Sequence, residues 1–299
     1  MTRTRAVVTL MLSGLGLLVA GALAVTSSGV YPVALLMSGP DAQGHAPALL
    51  LGAWQAGHWQ PPAAALPLLK ASRPWRMQSL GTPGKAGQTL LSMGGVALPG
   101  AAPCLEIVFL DFKVPASSPE FLLVTSPELK VRPRPVEVLP TTGAVYRESV
   151  RAELLRRGLK SPVLNIDSVT RADLDGDGTL EVIIGASHFR QASGDVALPP
   201  RAEAGDYSLL LLRWVKNGQV QTTVLSQNVF TTTPTQKQLD DGGGQVPTRY
   251  RLAGVADLNN DGRMELVVAD ASYESEGAVV LEWSPAGGVK ERLSEGCGA

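Results

Sequence analysis

Two nine-residue stretches hold the side chains best placed to do chemistry. DLDGDGTLE (173–181) and DLNNDGRME (257–265) lie 84 residues apart and put oxygen-bearing residues at the same positions. The first offers Asp173, Asp175, Asp177 and Glu181, and the second Asp257, Asn259, Asp261 and Glu265. An all-oxygen set suits a hard cation: calcium takes about six to eight oxygens at roughly 2.3 to 2.6 Å, and alternate residues of a tight loop point inward. The carbonyls at position 7, Thr179 and Arg263, are expected as further ligands, and Gly178 and Gly262 at position 6 as the residues that let the backbone turn. The expected cofactor is Ca2+. The first loop brings four carboxylates and the second three, with Arg263 as an added cation, so the first is expected to fill at lower calcium. The alternative is that the acids only cap two hairpin turns, as Asp and Asn often do.

The residues after each loop separate it from an EF-hand, which needs an acid at position 12 and flanking helices. Position 12 is Ile184 or Val268, and LEVIIGA and MELVVAD are short, β-branched runs that read as strands. The pattern DxDxDG, an acid at position 9 and an apolar strand resembles the calcium loops of FG-GAP/VCBS repeats, the blades of integrin-α-type β-propellers. The resemblance covers residues 163–227 and 249–293. It implies an all-β fold with one or two short helices, a propeller-like array of four-stranded meander blades, either closed or incomplete, with an open sandwich as the alternative. The period of 84 residues is longer than in such arrays, and the excess sits in two insertions, 189–206 and 227–249. Loops of that length commonly carry binding.

Each loop must be held by strands. Strands are expected at 163–172, 180–187, 207–215 and 219–225, with Asn217-Gly218 closing a hairpin, and again at 250–256, 264–269, 278–283 and 289–293. Residues 147–159 read as the clearest helix, with Val150, Leu154 and Leu155 on its apolar face. Upstream, strands are expected at 48–54, 76–80, 104–112, 121–125 and 131–138, the last an edge strand because of its prolines, with a short helix over 61–70 and loop over 81–100. The domain reading is therefore a signal peptide at 1–24, a flexible leader at 25–44, an N-terminal β region of divergent blades at 45–145, and two calcium-loop blades after a helix at 146–299.

Residues 1–24 combine Arg3 and Arg5 with an apolar run and end in Ala-Leu-Ala, a signal-peptidase pattern. Cleavage there removes two arginines and no acids, taking the formal net charge from −1 to −3. The expected location is secreted, periplasmic or extracellular; an uncleaved N-terminal segment would instead anchor the chain to a membrane, facing outside. Two cysteines in an exported chain suggest a Cys104–Cys297 disulfide. No basic patch points to nucleic acid. His45, His58 and His188 lack metal-site spacing, and Trp214 and Trp283 fall at equivalent strand ends, where packing between units is expected. The function expected is an exported, calcium-binding, non-catalytic binding or scaffold module that meets a protein or glycan at the cell exterior. The alternative is an exported calcium-dependent hydrolase or lyase with His188 and scattered acids at its site.

Overall fold

The computed structural model describes residues 29–69, 73–100, 103–190, 198–240 and 246–298. The signal-peptide reading of 1–24 lies outside them. The N-terminal half contains β1 (Val30–Leu36), β2 (His45–Gln55), β3 (His58–Gln60), helix α1 (Pro62–Ala65) and β4 (Arg73–Gln78). It continues through β5 (Gly81–Thr82), β6 (Lys85–Ala86), β7 (Thr89–Gly94), β8 (Val96–Pro99), β9 (Val108–Lys113) and β10 (Leu122–Thr125). Next come β11 (Val136–Leu139), α2 (Ala144–Arg156), β12 (Ile166–Ala172), β13 (Glu181–His188), β14 (Tyr207–Lys216) and β15 (Gln219–Val229). The chain ends with α3 (Gln236–Asp240), β16 (Arg249–Ala256), β17 (Glu265–Ala271), β18 (Ser275–Ser284) and β19 (Gly288–Gly298). Strand makes up 51% and helix 9%, so the protein is mostly β, as its Gly- and Pro-punctuated apolar runs imply.

Two antiparallel meanders hold the loops. One sheet runs β11-β12-β13-β14-β15 and the other β16-β17-β18-β19, each strand beside its sequence neighbour. Their registers correspond: Ala172 pairs Glu181 and Ala256 pairs Glu265, so each loop closes the hairpin between β12 and β13 or between β16 and β17. The last hairpins also match, with register shifts at Leu210/Leu211 and Val280/Leu281. β11 is an edge strand, as expected, but it begins at Val136 rather than at 131, because Pro133 and Pro135 hold the preceding residues outside the ladder.

The N-terminal half departs from the expected separate blades. Eight of its ten strands form one continuous sheet, with β7-β4-β10-β1-β2-β9-β8 in order and β3 paired to β2, curled into a half-barrel, while β5 and β6 pair only with each other. The leader reading of 25–44 also fails where the chain is described, because β1 is a central strand whose Val33 to Leu36 are wholly buried. Likewise 81–100, expected as loop, contains β5 to β8. These strands escape a local reading because Leu91, Met93, Val96 and Leu98 are exposed and give no one-sided burial pattern.

Alternation along the strands explains the stacking. In β17, Leu266 and Val268 pack towards the first meander's Ile183, Leu210 and Leu212, whereas Val267 and Ala269 pack towards Val33, Leu35, Leu49 and Leu51 of the half-barrel. The second meander is thus the middle layer, apolar on both faces, and its run LVVA shows none of the polar alternation of a half-exposed strand. The other face of the first meander is covered by α2 through Val150 and Leu154. This helix starts three residues earlier than 147; Leu155 is exposed, and Glu153 is buried instead, bonded to Arg156 and Arg157 at 2.6 to 2.8 Å. Trp214 and Trp283 meet edge-on at 5.4 Å between the two meanders, the packing their equivalent positions predict.

Cys104 and Cys297 form the expected disulfide, with Cα atoms 5.5 Å apart. It ties the segment before β9 to the last strand and so fastens the half-barrel to the middle layer.

Candidate metal centre

Both loops fold by closely similar side-chain-to-backbone bonds, with the first aspartate's Oδ1 taking the N–H of position 4 in one and of position 5 in the other. Asp173 Oδ1 and Oδ2 accept from the N–H groups of Gly176 (2.7 Å) and Gly178 (3.2 Å), and Asp257 Oδ1 and Oδ2 from Asp261 (3.2 Å) and Gly262 (3.0 Å). Asp175 accepts from the Asp177 N–H, and Asn259 from that of Asp261. Asp177 and Asp261 each accept from the residue two further on, Thr179 and Arg263. The left-handed turns fall at position 6, Gly178 and Gly262 (φ 85° and 88°), and at position 4, Gly176 and Asn260 (φ 83° and 60°). Asn is the side-chain-bearing residue that best tolerates that region, so the second loop adopts the first loop's path without the glycine.

The glutamates at position 9 lie beneath the loops. Glu181 Oε2 accepts from Leu174 N–H and Glu265 Oε2 from Leu258 N–H, both at 2.8 Å. Glu181 is 2% exposed and Glu265 fully buried, and Glu265 Oε1 has no hydrogen-bond partner among the described residues. Burial, reinforced by the neighbouring aspartates, pushes the Glu181 carboxyl up to about 7 and that of Glu265 up to about 8. Asp257 is raised for the same first reason. A carboxylate oxygen sealed from water without a donor, beside two aspartates, is costly unless a cation or proton meets it.

In the first loop, Asp173, Asp175 and Asp177 bring carboxylate oxygens within 4.8 Å of one another, a cluster that could hold a metal ion. In the second, Asn259 replaces the middle acid at 8% exposure. The donors are oxygen only, which fits a hard cation and not one that prefers thiolate or imidazole. Thr179 and Arg263 stand at the expected loop positions. The Arg263 side chain is exposed, so the cation counted against the second loop faces solvent.

A strap that no sequence pattern announces crosses both loops. Val131 O accepts from Asp257 N–H at 2.7 Å. Arg134 donates to the carbonyls of Asp173 (2.6 Å) and Leu174 (3.0 Å), with its Nε 3.5 Å from Asp173 Oδ2. Arg134 therefore offsets part of the first loop's four negative charges, and a Cβ at Gly176 would lie 3.1 Å from its guanidinium. The loops also touch directly: Met264 N–H donates to Leu174 O at 2.8 Å. Arg134 lies 39 residues before the loop it serves, in a proline-rich stretch with no periodicity, which is why reading the chain locally passes over it.

His188 is at the far end of β13 from the loops. It lines a hollow of about 330 Å3 with Lys160 and Arg190, and no carboxylate is among the described lining residues. The two insertions do meet at that end of the strands, where Gly205 N–H bonds Phe230 O, and Ala204 N–H bonds Thr233 Oγ1. No helix among the described residues is long and apolar enough to cross a membrane, and the disulfide is consistent with an extracellular location. Compared with known proteins, the chain matches no family model, no curated protein and no solved structure.

Proposed function

We propose that the chain is an exported calcium-binding protein of the FG-GAP/VCBS type, acting as a non-catalytic binding or scaffold module whose paired loops take Ca2+ and whose inserted loops meet a protein or glycan at the cell exterior. The observation that carries this is the buried Glu265 with an unpartnered oxygen beneath a loop of oxygen donors, repeated in outline by Glu181. Asp173, Asp175, Asp177 and Glu181 would hold one ion, and Asp257, Asn259, Asp261 and Glu265 the other, with the Thr179 and Arg263 carbonyls completing the sets. A set of four side-chain oxygens and a carbonyl from each loop suits a structural ion better than a catalytic one, which keeps an open position. The adjacent, face-packed meanders support a propeller-like, incomplete arrangement of blades.

Isothermal titration of the disulfide-bonded protein tests this. Two calcium ions per chain are expected, at affinities of about 10⁻⁴ to 10⁻³ M as in extracellular modules. One ion should remain in Asp175→Ala and one in Asp261→Ala. Absence of calcium heat from the wild-type protein at millimolar concentration would overturn the reading.

A further inference from the structure

A hollow of about 590 Å3 lies at the end of the strands opposite the loops, and Gln227, Asn228, Thr248, Tyr250, Tyr273 and Glu274 give it its chemistry. It lies where the second insertion leaves β15 and enters β16, facing the turn between β17 and β18. No Lys, Arg or His is among its described lining residues.

Asn228 is 8% exposed, and its Oδ1 accepts from Thr248 N–H at 3.3 Å. Its Nδ2 has no partner among the described residues and is not sealed from water, so the amide presents open donors at the wall. Tyr250 is fixed from behind: its ring packs against the core between the two meanders, its backbone N–H bonds Ser208 Oγ at 2.9 Å, and its hydroxyl has no partner among the described residues. Burial, with Asp270 beside it, pushes the Tyr250 phenol further up, so it remains a donor at neutral pH. Tyr273 stands at the rim, 55% exposed. Glu274 adds a carboxylate acceptor beside it.

We infer that this hollow, built from the Asn228 amide, the Tyr250 hydroxyl, the Glu274 carboxylate and the exposed Tyr273 ring, binds a neutral saccharide. It rests on reading the chain as an exported binding module, and it names the ligand class. An anion would meet Glu274 and find no cation in the wall. An organic ammonium would satisfy Glu274 and the aromatic rings, but it carries no acceptor for the donors of Asn228 and Tyr250, and a ligand that takes water from those donors without pairing them binds at a cost. A sugar ring brings hydroxyls that donate to Glu274 and accept from Asn228 and Tyr250, and an apolar face of C–H groups to lie on Tyr273.

The test is a titration of the whole disulfide-bonded protein, in calcium, with glucose, galactose, mannose, N-acetylglucosamine, cellobiose, lactose and chitobiose, monitored by saturation-transfer NMR and calorimetry. Choline and inorganic phosphate serve as the competing ligand classes. The expected result is saturable binding of at least one saccharide at about 1 mM or tighter, weakened about tenfold or more by Asn228→Asp, which keeps the acceptors and removes the donors, and by Tyr250→Phe, which keeps the ring. Both variants should keep the wild-type unfolding temperature and calcium response, which shows that they fold. Saturation by choline or phosphate alone, by nothing, or by a sugar whose affinity both variants leave unchanged would overturn the inference. The calcium response is read in the same samples: loss of sugar binding alone sinks the saccharide site, whereas absence of a calcium response beside intact sugar binding sinks only the metal reading.

Discussion

At the scale of single residues, the two buried glutamates set how the loops respond to acid. Their carboxyls are pushed up by burial, to about 7 for Glu181 and about 8 for Glu265, from an ordinary 4.5. A group whose pKa is higher folded than unfolded stabilises the fold fully below its unfolded value and loses that contribution as pH rises through the folded value. In calcium-free buffer the protein should therefore lose stability between about pH 4.5 and pH 8. Calcium must displace those protons, so its affinity should rise across the same window. Glu265→Gln separates the two effects, since the amide oxygen can still accept from Leu258 N–H while the charge is gone. In a chelator at pH 8 this variant should be more stable than wild type, on the order of 4 kcal/mol, and it should lose the second ion. Thermal unfolding against pH reads both; a wild-type profile flat from pH 5 to 8 in chelator contradicts the assignment.

At the scale of elements, the loops are a joined pair. Leu174 lies between Asp173 and Asp175, and its carbonyl accepts from Met264 N–H of the second loop while its own N–H is held by Glu181. An ion that fixes the first loop therefore fixes an acceptor used by the second. The first loop, richer in carboxylates even with Arg134 beside it, should fill at lower calcium, and filling it should tighten the second. Titrating Asp177→Ala, which weakens the first loop, should show the second loop's midpoint moved several-fold to higher calcium; an unmoved midpoint means the loops act alone. The ligand positions and the hairpins that carry them are legible in the chain because tight turns use local chemistry: acids at alternate positions, glycine at position 6, β-branched residues after. Arg134 and Val131 are not legible there. They reach the loops through tertiary packing from a stretch whose local pattern signals only an edge strand.

At the scale of the whole molecule, the same division holds. All eight strands of the two repeated units are readable because each has enough apolar residues between turn signals, and the paired tryptophans point to how the units stack. The half-barrel is not, because its order β7-β4-β10-β1-β2-β9-β8 joins strands distant in sequence, a property of long-range pairing that local patterns do not encode. β1 in particular comes after an apolar N-terminal run, so its own apolar residues read as the tail of a leader. With the half-barrel fastened through Cys104–Cys297 and the first meander held through the loops and their strap, the middle layer depends on both neighbours. The central claim is that ions in the paired loops hold these layers together. Thermal unfolding of the disulfide-bonded protein in about 10 mM calcium, in chelator and in magnesium tests it most directly. Calcium should raise the midpoint by about 5 to 10 °C over chelator, with magnesium giving less, because it prefers a smaller octahedral shell. Coincident unfolding curves in calcium and chelator would contradict the account.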